Sequence, residues 1–485
     1  MRHTPVRRIS VVMLVLTLVG GCGTLWHKRT EVTFDVGGEA GYGISNSSAG
    51  LSIESSALAD GASKLLVRKL TKLLAGFQGT PVIRIAGNAS DEMFWTATNE
   101  RMPAGSDGAP YAFRVTPTSL ERLNDVVTTL GWRVVLGVNL RADDPRRAAS
   151  MAGAAAKILG RNLVGIEIGN EPTVYYTSRS EIDEYPDKIR RFREQIAAQA
   201  PDVAVQGPDV SALRHDFLWR TAAQRLDGQP MFSTFAAHFY GADGCKDANV
   251  APGDVFSPFA DERRATALRD ITRSAAFSGS SRTVISEANS INCGGRRGIS
   301  DGIEGGLWAL DFALDAATEG VSSVYFHGGL TDCLAYSPIC LRDNGSVRAQ
   351  GVYYALTAIN SLGDGLSIKR LSTATADDAT TMHAYVMRRD NAMVLALVNT
   401  DADTDDKPAR VNVGMPSGTF TTTADVQMRE PDGGNESGHS YLTASPPGAD
   451  TMCRDEKVVG SRPKAASTYE LAPMTARLVY LCKAA

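Results

Sequence analysis

The fold class predicted for this chain is a (β/α)8 barrel followed by an antiparallel β-sandwich, and three observations carry it. Short β-branched runs alternate with helical stretches from Gly50 to Gly328, eight runs in all. Nearly every run ends in a polar or acidic tip, as the strands of a barrel do at the face that carries chemistry. From about Val347 the texture changes to short alternating runs separated by Asp, Gly, Pro and Thr clusters. A doubly wound sheet also alternates strand and helix, but it would not usually place functional groups at the tip of almost every strand.

The elements follow in order. Gly50 to Glu54 is the first strand-then-acid unit, and Ser63 to Phe77 has Leu65, Leu66, Leu70, Leu73 and Leu74 at helical spacing. Strands are predicted at 81–88 and 132–139, with a helix from Leu120 to Leu130 between them and an Ala-rich helix from Ala148 to Leu159 after them. Leu163, Val164, Ile166 and Ile168 form a buried run that stops at Gly169-Asn170-Glu171-Pro172. Proline has no N–H to continue a ladder, so Asn170 and Glu171 are expected to face solvent at a strand tip. A helix at 182–199, strands at 203–207 and 235–240, a helix at 263–277, and a strand from Thr283 to Glu287 come next. A helix at 305–319 and a strand at 323–328 complete the eight units.

After a helix at 350–362, the runs 381–387, 392–398, 409–413 and 476–481 read as sandwich strands, with 401–408 and 429–448 as exposed loops. Glu31 to Val36 alternates in strand fashion ahead of the barrel and is expected to join the same sandwich. The predicted boundaries are therefore 1–22 for a signal peptide, 23–48 for a linker and first sandwich strand, 49–346 for the barrel and 347–485 for the sandwich.

Arg2, Arg7 and Arg8 precede an apolar run from Ile9 to Val19, about half of the roughly 20 residues that span a bilayer. Leu18-Val-Gly-Gly-Cys22 then resembles a bacterial lipobox, in which cleavage leaves Cys22 as a lipidated N-terminus. Export as a periplasmic or cell-surface lipoprotein is expected, with ordinary secretion or a retained anchor as alternatives. Six cysteines remain after Cys22, an even number that suggests disulfides in an exported chain. Sequence alone permits fifteen connectivities. The preferred pairing is Cys245 with Cys293, Cys333 with Cys340, and Cys453 with Cys482; the first would tie two loops at the barrel mouth.

Lys and Arg number 50 against 54 Asp and Glu, a formal net charge of −4, so there is no basic excess to hold nucleic acid. No Gly-x-Ser-x-Gly elbow, His-Glu-x-x-His helix or Gly-Lys-Ser/Thr phosphate loop occurs, and seven scattered histidines form no metal-ligand pattern. Neither a cofactor nor a metal is expected. Calcium at Asp401, Asp403, Asp405 and Asp406 is an alternative to the default of a solvated acidic turn.

Two strand-end glutamates in far-apart segments, Glu171 and Glu287, would meet across the barrel mouth. Cleaving a glycosidic bond needs an acid for the departing oxygen and a carboxylate for the oxocarbenium-like centre, roughly 5 to 5.5 Å apart in retaining enzymes. Glu171 is assigned as acid/base and Glu287 as nucleophile. A lone strand-end Glu is often only a cap or a solvent contact; two in this register are harder to explain that way.

Gly169-Asn-Glu-Pro172 and Ser286-Glu-Ala-Asn-Ser290 resemble the retaining clan of barrel glycosidases. Leu51-Ser-Ile-Glu54 with Ser55-Ser-Ala-Leu58, Ile83 to Asp91 with Trp95, His327-Gly-Gly329 and Tyr336-Ser-Pro-Ile339 narrow the resemblance to glycoside hydrolase family 79, the β-glucuronidases and heparanases. The resemblance implies that Asn170 donates to the sugar 2-hydroxyl, that Tyr240 orients Glu287, and that Glu54 and Asp91 hold the 3- and 4-hydroxyls, with Asn289 in the same pocket. His238 and His327 would line the pocket wall. Gly328, Gly329 and Tyr336 lie on the loop that the family uses for the uronate carboxylate. In the family a glycine is paired closely with the tyrosine; here Thr331 to Ala335 intervene, which loosens the match for glucuronate. Arg296 and Arg297 are a possible source of positive charge or simply a solvated pair.

The expectation is thus an exo-β-D-glucuronidase acting on a glucuronate-containing oligo- or polysaccharide, with membrane contact only through the lipid anchor and oligomeric state open. An endo-acting heparanase-like enzyme, a glycosidase for a neutral β-glycoside, and a noncatalytic carbohydrate-binding lipoprotein are the alternatives.

Overall fold

Eight strands hydrogen-bond side by side, all parallel, into a closed barrel. The computed structural model describes residues 30–37, 41–59, 71–98, 100–103, 111–247, 249–329, 333–341, 346–373, 381–402, 407–416, 418–432, 440–448, 452–453 and 463–483. The barrel strands are β1 (Ala49–Glu54), β2 (Val82–Ala86), β3 (Arg133–Val138), β4 (Leu163–Ile168), β5 (Val205–Ser211), β6 (Thr234–Ala242), β7 (Arg282–Ile291) and β8 (Ser323–His327). Each is covered by helices outside and side chains inside, so the strands read as continuous apolar runs rather than alternating ones. All five residues of β2 and of β8 are buried.

The outer helices start where their caps allow. Asp144 accepts from the Arg147 N–H ahead of Pro145–Leu159, and Ser178 with Glu181 forms a capping box at the head of Arg179–Gln199. Gly131 and Gly279, both left-handed, close Pro117–Leu130 and Pro258–Ser278. Of the helix expected at 63–77 the described part is Thr71–Leu74; residues 60–70 lie outside the described residues.

β5 departs from expectation. Gly207-Pro208 reads as a strand end, yet the strand runs on to Ser211. Pro208 and Val210 pair with Ala236 and Ala237 of β6, so Asp209 between them is an extra, bulged residue with φ 53°. A bulge lets the chain absorb the missing proline N–H and re-aims one side chain.

Six antiparallel strands, in the order Tyr42–Ile44, Leu366–Arg370, Met382–Arg389, Ala392–Asn399, Thr475–Lys483 and Phe420–Met428, make a second sheet. Glu31–Asp35 pairs parallel with Ala409–Gly414, which pairs antiparallel with Thr468–Leu471. Along the central strands the period is two. Ala384, Val386, Met393, Leu395 and Leu397 face the three-stranded sheet with Phe34, Val411 and Tyr469. Tyr385, Met387, Val394, Ala396 and Val398 pack on the barrel's side with Leu307 and Trp308. Both faces of this sheet are therefore core.

A buried charged cluster joins the two domains. Arg264 pairs with Asp311 and Asp315, and His383 from the sandwich sits between Asp261 and Asp311 at 3.0 and 2.9 Å. Cys245–Cys293, Cys333–Cys340 and Cys453–Cys482 are bonded, with Cα separations of 5.4, 4.5 and 5.6 Å. Cys22 and the apolar run before it, and Asp403, Asp405 and Asp406, lie outside the described residues. No helix among the described residues is long and apolar enough to cross a membrane.

Candidate active site

Arg84 is the centre of the site, and sequence reasoning gave it no role. It projects from β2 into the barrel, fully buried, where an unpaired charge would be prohibitive. Its guanidinium forks onto Glu167 of β4, with Nε to Oε2 at 2.7 Å and Nη2 to Oε1 at 2.6 Å. The remaining N–H groups reach Asn170, just past β4, and Glu287, within β7. Nη2 donates to Asn170 Oδ1 at 2.7 Å, and Nη1 donates to Glu287 Oε2 at 2.8 Å and to Ser52 Oγ at 2.7 Å. One cation therefore links β1, β2, β4 and β7.

Glu287 lies within β7, opposite His238 of β6 in the ladder. Tyr240, two residues along β6, donates from its hydroxyl to Glu287 Oε1 at 2.7 Å. His327 Nδ1 lies 3.6 Å from Oε2. Burial works against the charge of Glu287, but His327, His238, Arg84 and the Tyr240 hydrogen bond outweigh it and hold this carboxyl well below the usual carboxylate range.

Glu171 is placed differently. Gly169 turns the chain after β4 with φ 76°, a position where a Cβ would meet the Leu140 side chain at 2.6 Å. Glu171 follows with φ 41°, its N–H donating to the Asp209 carbonyl at 2.9 Å. Its Oε1 lies 3.0 Å from His238 Nδ1, and its side chain keeps 29% exposure. His238 is raised above its ordinary range; burial opposes the charge, and Glu287 and the hydrogen bond to Glu171 overcome it. Both carboxylates are thus held by side chains two positions apart on one strand, His238 and Tyr240.

The expectation that Asn170 faces solvent is corrected: it is 4% exposed, turned inward onto Arg84, with Nδ2 donating to Asn88 Oδ1 at 3.0 Å. One amide hydrogen stays available. Glu54 opens towards the same mouth; Oε2 accepts from the Ala89 N–H at 2.8 Å and Oε1 lies 3.5 Å from His327 Nε2. Gly87, with φ 72°, leaves room for that carboxylate, which a Cβ there would strike at 2.4 Å.

Asp91, expected to hold a sugar hydroxyl, and Asn289, expected in the same pocket, have their polar atoms engaged elsewhere. Asp91 Oδ1 accepts from the N–H groups of Leu140 and Arg141, and Oδ2 from the Asn170 N–H and the Tyr175 hydroxyl, so its four lone-pair positions are filled. It is a clamp on the loops after β3 and β4. Asn289 spends both Nδ2 hydrogens on the carbonyls of His327 and Tyr336 and accepts from Ser290, strapping the loop after β8 to β7.

The glycines expected to cradle a carboxylate are also occupied: the Gly328 N–H donates to the Ser52 carbonyl and the Gly329 N–H to Ser337 Oγ, each at 3.0 Å. Tyr336 lies at the mouth, its ring 5.7 Å from His327 and 6.3 Å from Tyr240, and its hydroxyl meets the backbone of Gly294 in the loop after β7. Arg297 donates to the Cys333 carbonyl at 2.8 Å, joining the loops after β7 and β8. Thr331 and Asp332 lie outside the described residues.

Fold and site together define the class: a (β/α)8 barrel with an appended β-sandwich and two carboxylates at one mouth, Glu171 just beyond β4 and Glu287 within β7 rather than at the strand end where it was expected. No family model matches the chain. The β-glucuronidase of Aspergillus niger is 22% identical over 471 residues, covering 87% of this chain and 85% of that protein. The 4-O-α-L-rhamnosyl-β-D-glucuronidase of Fusarium oxysporum 12S, solved as its Rha-GlcA complex, superposes with a TM-score of 0.67 at 18% identity over 92% of this chain and all of that one. A family 51 arabinofuranosidase from Xanthomonas axonopodis pv. citri superposes at 0.60 with 13% identity, covering 93% of this chain and 100% of that chain.

Proposed function

We propose that this protein is a retaining glycoside hydrolase, an exo-β-D-glucuronidase working by double displacement. The observation that carries the reading is the tethering of Glu171 and Glu287 to His238 and Tyr240, two residues apart and therefore about 6.6 Å along one strand. The spacing is between the anchor points; the side chains reaching inward from them flank one glycosidic bond when their carboxylates stand roughly 5 to 5.5 Å apart, the separation that a retaining mechanism needs.

Glu287, ionised and aimed by Arg84 and Tyr240, attacks the anomeric carbon while Glu171 gives its proton to the departing oxygen. The C–O bond breaks and a glycosyl ester forms on Glu287. Glu171, now a carboxylate, takes a proton from water, which attacks the anomeric carbon and frees Glu287. The spare Asn170 amide hydrogen serves the sugar 2-hydroxyl, and Glu54 with His327 serves hydroxyls further round the ring. The names of the Aspergillus and Fusarium proteins favour glucuronate, with Tyr336 as a hydroxyl donor to its carboxylate. Export, as a lipoprotein anchored at Cys22 or in secreted form, belongs to the same reading.

A second reading keeps the mechanism and changes the sugar to a neutral β-glycoside; the occupied Gly328 and Gly329 N–H groups favour it. Turnover of nitrophenyl β-glucuronide, β-glucoside and β-xyloside by wild type and Glu287→Gln separates the readings. Glucuronide preference with a loss in kcat of about a thousandfold or more on Glu287→Gln is expected. Equal rates for wild type and variant would remove Glu287 from the mechanism, and preference for glucoside would move the assignment to the neutral sugar.

A further inference from the structure

Among the described residues, Asp209 is the buried acid that grips Glu171 at the main chain and also approaches the imidazole against its side chain. It is fully buried, left-handed at φ 53°, and stands at the bulge in β5. An L-residue held in that conformation inside a barrel is maintained by its surroundings, and such strain clusters where it has a use. The Asp209 carbonyl accepts the N–H of Glu171, itself left-handed at φ 41°, at 2.9 Å. Its Oδ1 takes Ser286 Oγ at 2.5 Å and Gln206 Nε2 at 3.2 Å, and lies 3.9 Å from His238 Nε2. Oδ2 is sealed from solvent with no hydrogen-bond partner among the described residues.

We propose that Asp209 is a positioning residue for the acid/base, fixing the Glu171 backbone directly and, through His238, deciding whether the imidazole facing Glu171 carries a charge. This rests on the reading of Glu171 as the proton donor. With Asp209 protonated, the neighbour of His238 Nε2 is Arg84 Nη2, 3.4 Å away, a cation whose nearness opposes a charge on the imidazole. Nδ1–H is then given to Glu171 Oε1, and Oε2 is left to carry the catalytic proton. With Asp209 ionised, an anion stands opposite Nε2 and favours imidazolium, whose Nδ1–H pairs best with the carboxylate form of Glu171. The donor is then lost.

The groups facing Asp209 are Arg84 from β2, Glu167 from β4, His238 from β6, Tyr325 from β8 and Tyr185 from the helix Arg179–Gln199. Burial and then Glu167 push the Asp209 carboxyl up to about 8, against Arg84 and His238. His238 in turn is faced by Glu171, Glu287 and Arg84. The switch therefore falls on the alkaline side of neutrality.

The test compares the pH dependence of kcat/KM on two glycosides of the same sugar, phenyl and 2,4-dinitrophenyl, for wild type, Asp209→Asn and Ser286→Ala. Phenol leaves only with a proton from Glu171; dinitrophenolate leaves without one. Asn tolerates the left-handed backbone and does not titrate. For the phenyl glycoside the alkaline limb is expected to move up by about half a pH unit or more in Asp209→Asn. Ser286→Ala, which removes a donor that favours the ionised acid, should move it the same way by less. The dinitrophenyl limb should stay where wild type has it. A phenyl limb unmoved in the variants that fold, or the two substrates falling together, overturns the proposal. Ser286→Ala alone decides if Asp209→Asn does not fold. If Glu171→Ala costs both leaving groups equally, the reading of Glu171 fails first, and this proposal with it.

Discussion

Arg84→Lys is the sharpest test of the site because it keeps a cation while removing the fork. The structure gives Arg84 two charge-assisted contacts to groups assigned to the reaction, 2.8 Å to Glu287 and 2.7 Å to Asn170. Each such bond is worth about 1.5–3 kcal/mol. An ammonium on a shorter stem, drawn towards Glu167, keeps at most one of them, so about 2–4 kcal/mol of alignment is lost. At about 1.4 kcal/mol per tenfold change, kcat/KM falls by roughly 30- to 1000-fold. Glu287 also loses a donor to its ionised form, so its carboxyl rises from its depressed position and the acid limb of the pH profile moves to higher pH. The assay is kcat and KM on an aryl glycoside across pH, beside thermal unfolding to show that the barrel is intact. A variant within about threefold of wild type, or one that changes KM with kcat untouched, would refute the assignment of Arg84 to orientation of the carboxylate.

Tyr240→Phe removes the 2.7 Å hydrogen bond to Glu287 and nothing else of its size, so kcat should drop about 10- to 100-fold with the acid limb again displaced upward; an unchanged limb would separate the hydroxyl from the carboxylate's charge. His383 is held protonated to about 9, against burial, by Asp311 and by hydrogen bonds to Asp261 and Asp311. A folded pKa above the unfolded one means that this stabilisation is complete below about 6.5 and is lost as pH rises to about 9, a span on the order of 3 kcal/mol. Melting temperatures measured from pH 6 to 10 should therefore fall, and His383→Gln should flatten the upper part of that curve while lowering stability at pH 6. Cys245→Ser with Cys293→Ser opens a closure of 48 residues and should cost about 2–4 kcal/mol of stability, read by denaturant unfolding; no change in the midpoint would show that the loops after β6 and β7 are held by other contacts.

The barrel was readable because buried parallel strands leave a plain trace: apolar runs of fixed length that end in polar tips, as at Leu163–Ile168 and Ser323–His327. The same rule concealed its interior. In Val82-Ile-Arg-Ile-Ala86 and Leu163-Val-Gly-Ile-Glu-Ile168 a charge sits amid apolar neighbours on both sides and looks like an interruption. In a strand with no solvent face it has to be paired, and opposite signs in two barrel strands were the available clue to the Arg84–Glu167 fork. Asp91 and Asn289 went the other way. Sequence places them beside the site residues, but only coordinates show that their polar atoms are spent on loop main chain. Pro208 hid the last residues of β5, and with them Asp209, because a proline inside a strand is admissible only where a bulge excuses its missing donor.

The two glutamates are anchored unequally, and the inequality follows from backbone. Glu287 is an interior residue of β7, gripped at both oxygens and surrounded by Arg84, His238 and His327. A group so held stays ionised and cannot swing, which is what attack on an anomeric carbon asks of a nucleophile. Glu171 stands beyond the end of β4, on a left-handed residue, with a hydrogen bond to one oxygen only among the described residues and 29% of its side chain open. A group that must give a proton to one oxygen and take one from water needs that access and that free oxygen. On the proposed reading of Glu171 as acid/base and Glu287 as nucleophile, the strand that ends early and the strand that runs on divide the two roles before any substrate arrives. Exchanging the two side chains' surroundings, rather than their identity, is what would abolish the difference: moving the charge cage from β7 to β4 would leave two carboxylates and no acid.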